Sequence, residues 1–299
     1  MRKLPGVILM LATLQLLQSV AAAAPNLSIS NWQARGSQMW RITFPGYASG
    51  LPNSPATAGG ASELYYPQSG QYTTLNYEKE LSPTQTLSLE AGLLGNIMPA
   101  TGNDSDWDYS QAPGLWYFGT FKTRGSSTFL NVDIKRRLKN STEFFYGYGY
   151  ANSRYNMTQG YYSMMDYTPV ATSLPALNST YSLVYHGPHV GLAASRQLSP
   201  RLALVGSISY APLSLAQGHG WWNLRNLEFE HLGTGQMLDG KIGLRYTVAG
   251  RQNNSITLGY RYQRYTLYTG SESSSPDITW TEATKLQQGW YMGGNFAFN

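Results

Sequence analysis

Ser255-Ile256-Thr257-Leu258-Gly259-Tyr260-Arg261-Tyr262-Gln263 alternates residue by residue. On an extended chain successive side chains point to opposite sides, so Ile256, Leu258, Tyr260 and Tyr262 share one face and Thr257, Gly259, Arg261 and Gln263 the other. The same rule runs through Leu202, Leu204, Ile208 and Tyr210. It returns in Ile242, Leu244, Tyr246 and Val248 against Lys241, Arg245 and Thr247, and in Trp290, Met292, Phe296 and Phe298 against Tyr291, Asn295 and Asn299. These strands read as roughly 10 to 18 residues long, where soluble strands average about 5 to 6. A long tilted strand with an apolar side, a polar side and aromatic ends suits a closed wall with lipid outside and a hydrated interior.

Outward from that stretch, turns and longer connections alternate. The short turns are 81–84, 138–141, 198–201 and 249–253, all rich in turn residues. The long connections run about 46–60, 99–127, 158–180, 216–230 and 270–284. The strands then fall near 27–45, 61–81, 84–98, 128–138, 142–157, 181–198, 201–215, 231–249, 254–269 and 285–299. The expected fold is all-β: a ten-stranded antiparallel transmembrane β-barrel with five long outer loops and four short periplasmic turns. An even strand count leaves both chain ends on the periplasmic side, and closure removes sheet edges.

Composition narrows the function. The chain has 299 residues, no cysteine and 4 histidines, which excludes disulfide staples, thiolate metal sites and cysteine nucleophiles and argues against a rich metal centre; no metal and no cofactor are expected. Charged residues make up 12% and aromatics 13%, too much burial potential for a disordered chain. Arg2 and Lys3, the apolar run 7–17 and the small residues 20–24 read as a signal peptide over 1–24, followed by an outer-membrane barrel over 25–299. Without Arg2 and Lys3 the formal charge falls from +5 to +3, no footprint for nucleic acid.

Two connections carry chemistry. Asn103-Asp104-Ser105-Asp106-Trp107 places two carboxylates at i and i+2, on one face of an extended segment. Like charges that close raise one pKa, which suits a water-activating base; on spacing alone a solvated turn or a calcium loop is the commoner reading of Asp-x-Asp. Gln217-Gly218-His219-Gly220 offers a histidine that titrates near neutrality, or an ordinary polar loop residue. In a ten-stranded ring these two connections stand across the mouth from each other.

The chain resembles the omptins, ten-stranded outer-membrane endopeptidases. The resemblance rests on Asp104-Ser105-Asp106-Trp107, Pro113-Gly114-Leu115-Trp116, Gly149-Tyr150-Ala151-Asn152-Ser153-Arg154-Tyr155 and His219, in order over roughly residues 35–299. It implies peptide-bond hydrolysis by a water held between Asp104 and Asp106 and a dyad containing His219. The dyad acid falls at Gln217, an amide that orients an imidazole without stabilising its charge, so weakened activity is expected. It also implies lipopolysaccharide on the barrel exterior at Tyr150 and Arg154, with Asn152 replacing an acid between them, and a requirement for that lipid. Pro67, Gln68, Leu215 and Ala216 stand where acidic specificity residues would be, so no dibasic preference is expected. The expected partners are outer-membrane lipid and a peptide or protein substrate at the cell surface, with the chain a monomer in the bacterial outer membrane.

The alternative is a non-catalytic structural or adhesive barrel that kept the omptin scaffold, motivated by Gln217; a narrow porin-like channel is a third reading. Glu228 and Glu230 near His231 offer a substitute dyad, although counting back along the eighth strand favours His219. Trp116, Trp221, Trp222, Trp280 and Trp290 fit an aromatic girdle better than a sugar platform.

Overall fold

The computed structural model describes residues 26–45, 59–109, 114–139, 141–248 and 254–297. The expected signal segment, most of the first long connection, the whole 249–253 turn and Phe298 lie outside them. Ten strands follow in order: β1 Asn26–Phe44, β2 Gly60–Ser82, β3 Gln85–Asp108, β4 Gly114–Arg137, β5 Thr142–Met165, β6 Thr168–Ser199, β7 Leu202–Trp222, β8 Leu227–Thr247, β9 Ser255–Glu272 and β10 Thr279–Ala297. Each pairs antiparallel with its chain neighbours, and β1 pairs with β10 from Asn26↔Ala297 to Thr43↔Thr279, closing the ring.

The alternation in 255–263 decides which side is which. Leu258 is 54% exposed on the outer wall, while Arg261 is 2% exposed inside. Trp290 and Met292 on β10, Ile242 and Leu244 on β8 and Ile208 on β7 extend the outer apolar surface. Apolar outside and charged inside inverts a soluble protein and is stable only with lipid around the wall.

An interior of charges needs internal partners. Arg261 forks onto Asp239 (Nε–Oδ1 3.1 Å, Nη2–Oδ2 2.5 Å) and Glu90 (Nη1–Oε1 3.1 Å), with Phe129 and Trp32 rings 4.3 and 5.2 Å from its guanidinium carbon. Lys241 also pairs with Glu90, and Lys135 with Glu78. His189 Nε2 lies 2.6 Å from Asp133 Oδ1. Above this charged layer a polar–aromatic plug fills the lumen: Tyr72 donates to Gln287 at 2.5 Å and Tyr155 to Gln68 at 2.6 Å. The packed lumen follows from the small circumference of a ten-stranded ring.

On the outer wall the apolar side chains stop at Met98 on β3, Leu215 on β7 and Leu232 on β8. Beyond them Thr101 and Asn103, Gln217 and His219, and Glu230 and Glu228 take the outward positions, so this part of the wall stands clear of the membrane. Here the structure departs from the sequence-based expectation. Among the described residues, the later four long connections are mostly β-ladder: β3 runs on to Asp108, β7 to Trp222 and β9 to Glu272. The 158–180 segment is a hairpin around Asp166 and Tyr167, whose φ of 49° and 61° suit a tight two-residue turn. Above the membrane the outer face is polar, so the apolar-out signal vanishes while the ladder continues.

Candidate functional site

A cavity of about 470 Å³ opens at the protruding end of the lumen. Asp104 and Asp106 reach it from β3. Asp104 pairs in register with Leu64 and Gly119, and Asp106 with Ser62 and Tyr117, so both carboxylates point inward from one wall. Asp104 is only 7% exposed, and Oδ1 of each aspartate is buried without a protein partner. Both residues lie beyond the apolar belt. Burial, followed by the charge of Asp106, holds the Asp104 carboxyl well above the usual range, against the opposing pull of Arg225. Burial also raises Asp106, to about 6, with the Ser62 hydroxyl and Arg225 opposing. The pair therefore retains a proton at pH values where free aspartates are charged.

Arg225, in the turn between β7 and β8, lines the mouth. Trp116, Tyr117, Tyr162, Trp221 and Trp222 also line the cavity, and Trp40, Tyr66, Tyr181 and Phe229 close it towards the plug. Trp290 is exposed on the outer wall, whereas Trp116 and Trp280, expected in the girdle, are buried inside. Trp116 Nε1, like the aspartate oxygens, has no partner.

His219 and Gln217 are not brought to this cavity. On β7 the buried, inward positions are Ala216, Gly218 and Gly220, which turns Gln217 and His219 outward. The His219 side chain is 45% exposed, and its Nε2 lies 2.8 Å from Glu228 Oε1 on the outer surface. The two glycines leave room for rings from β6 and β8. A Cβ on Gly218 would sit 2.4 Å from the Tyr181 hydroxyl, and one on Gly220 would sit 2.1 Å from the Phe229 ring. The expectation that His219 faces the aspartates assumed a loop free to turn; a ladder fixes the side by parity.

A different histidine stands opposite the aspartates. β3 and β8 are five places apart in a ring of ten, and His231 points inward from β8. Its register partner is Glu272 on β9, with Nε2 3.1 Å from Oε2, and its Nδ1 lies 3.0 Å from the Tyr181 hydroxyl. Trp280, Trp40 and Phe229 surround the ring at 4.8, 5.0 and 5.2 Å, leaving no side-chain surface exposed. Glu272 itself lines the cavity. Sequence reasoning considered His231 but looked for its acid at 228 and 230; Glu272 fell in an expected loop and carried no signal.

Tyr150 and Arg154 share the outward face of β5 with Asn152, whereas Ala151, Ser153 and Tyr155 are buried inside. Gln68 is buried in the plug, Ala216 faces inward without lining the cavity and Leu215 is on the outer wall. Among the described residues no group of three or more His, Asp or Glu is placed to hold a metal.

No family model matches the chain, and no curated protein does. Among solved structures, the outer membrane protease OmpT from Escherichia coli superposes with a TM-score of 0.74 at 16% identity, covering 94% of this chain and 98% of that one. The translocator domain of the autotransporter NalP from Neisseria meningitidis gives 0.38 at 10% identity, over 98% and 94%. The toluene transporter TodX from Pseudomonas putida gives 0.35 at 8%, over 92% and 90%. The OmpT likeness establishes a shared fold, an omptin-like ten-stranded barrel of the outer-membrane type.

Proposed function

We propose that this chain is an outer-membrane barrel that holds a ligand in its cell-surface cavity without cutting it, on an omptin-like scaffold. The observation that carries the reading is the parity of β7. His219 and Gln217 lie on the face away from the cavity, and His231 is sealed behind aromatic rings. No histidine stands among the described residues lining the cavity beside the aspartate pair, and removing the charged partner of a catalytic histidine costs about four orders of magnitude in a serine triad. Outer-membrane lipid is expected against Tyr150 and Arg154, whose guanidinium suits a phosphate. The ring closes within one chain, so we expect a monomer, with one-chain mass by sedimentation as the check.

A second reading is peptide hydrolysis by Asp104 and Asp106 without His219. It is favoured by two neighbouring carboxyls lining one cavity, a pair suited to holding a water for attack on a carbonyl. One experiment separates the readings. The protein in lipopolysaccharide-containing vesicles is incubated with a mixed peptide library, alongside Asp104→Asn and His219→Ala. We expect no cleavage above the Asp104→Asn background. Cleavage lost in Asp104→Asn but kept in His219→Ala would establish the second reading, and cleavage lost in both would restore the endopeptidase with His219 in its dyad.

A further inference from the structure

Aromatic rings line the outer cavity at a height where no lipid reaches them. On one wall Trp116, Tyr117 and Tyr162 follow one another, with centroids 6.2 and 6.0 Å apart. Trp221 and Trp222 line the cavity from β7. The ladder sets their level: Tyr117 pairs with Asp106, and Trp222 lies three residues beyond His219. Both are past the point where the outer wall turns polar. Tyr117, Tyr162, Trp221 and Trp222 are half-buried, so they keep surface that a ligand can cover. The volume, about 470 Å³, lies within the range of about 300–1,000 Å³ typical of small-ligand sites.

The charged groups of this lining are Asp104, Asp106, Asp166, Glu272 and Arg225. Four carboxyls against one guanidinium leave the cavity negative, even with the proton that the aspartate pair retains. An anion is therefore disfavoured, and an uncharged apolar ligand leaves the charge unanswered. A cation answers both features, because the face of an aromatic ring attracts positive charge. The carboxyls decide which cation. Glu272 already accepts from the Ser274 hydroxyl and lies 3.1 Å from His231 Nε2. Asp104 is 7% exposed, and Arg225 acts on both aspartates. Asp166 is exposed at the rim. A lysine-type ammonium brings three N–H donors and a guanidinium five, each needing an acceptor once water is stripped away. A quaternary ammonium brings none, and its methyl groups suit an apolar wall.

We infer that the outer cavity is a site for a quaternary ammonium group, caged by the rings of Trp116, Tyr117, Tyr162, Trp221 and Trp222 and balanced by the carboxyls of the lining. This inference rests on the reading that the cavity binds without cutting, and it names the ligand class. It also reassigns Trp116 and Trp222 from a membrane girdle to the wall of a site.

The test uses the full barrel in dodecyl maltoside micelles, which contain no ammonium lipid. It is titrated with choline, with the uncharged tert-butyl analogue of choline, with butylguanidinium and with a mixed peptide library. Heat and tryptophan emission are read. Choline should bind saturably, and its uncharged analogue about tenfold more weakly. Trp222→Leu, which keeps an apolar side chain but removes the ring, should weaken choline about tenfold, with circular dichroism checking the barrel. Asp166→Asn should weaken it severalfold; asparagine tolerates the φ of 49° at this turn position, so the fold is kept. Equal binding of choline and its analogue would overturn the charge argument, and butylguanidinium binding as tightly as choline would overturn the choice of a group without N–H. Choline binding indifferent to both substitutions would overturn the site. Peptide binding without choline binding would overturn the inference and leave the ligand-binding reading standing, whereas binding of nothing would overturn both.

Discussion

Asp104 is buried and Asp106 half-buried on one strand, close enough for the charge of one to act on the other. Their folded-state pKa values are raised, so the folded protein keeps protons that the unfolded chain releases above about pH 3.9. Where the native state binds more protons, stability falls as pH rises. The fall should begin near the unfolded carboxylate value and continue through about pH 6, where Asp106 ionises, and beyond it for Asp104. Asp104→Asn/Asp106→Asn removes this penalty. Guanidinium unfolding at pH 4, 6 and 8 should show the double variant gaining on the parent as pH increases. A gap that does not change with pH would contradict the burial argument.

At the scale of the element, β7 decides what the cavity contains. Gly218 leaves the space in which the Tyr181 hydroxyl meets His231, and both rings are buried with no room to retreat. Gly218→Ala should therefore cost about 1–3 kcal/mol, the usual penalty of overpacking a filled interior. Gln217→Ala, one residue away but on the exposed outer face, should stay within about 0.5 kcal/mol. Thermal midpoints of the two variants test the parity directly, and reversed sensitivities would mean that β7 presents its other face. The ladder also explains why the histidine was misassigned: with polar residues outside and glycine inside, 216–222 has no hydropathic period, so it reads as loop although it is strand.

For the whole molecule, stability rests on an interior that neutralises itself. Arg261 joins β9 to Asp239 on β8 and reaches across the lumen to Glu90 on β3. Arg261→Leu would leave Asp239 without a cation and Glu90 with Lys241 alone, a loss of about 3–5 kcal/mol. Adding Asp239→Asn should recover most of that loss, because the cost lies in uncompensated charge rather than in the missing contact. Urea unfolding in detergent checks this, and equal destabilisation of the single and double variants would show that packing outweighs charge.

The architecture was legible in the sequence because lipid and water impose opposite preferences on neighbouring residues, and nine residues from Ser255 to Gln263 suffice to display them. Ten strands and their antiparallel order followed from that period and its interruptions. The site was legible by half. Asp-x-Asp puts both carboxylates on one side of any extended chain, so their convergence needed no knowledge of the ring. Which side His219 takes, and that His231 finds Glu272 forty-one residues later, depended on where the ladders end and on the register between β8 and β9. Those are properties of the closed sheet, in which a shift of one residue exchanges inside for outside along a whole strand.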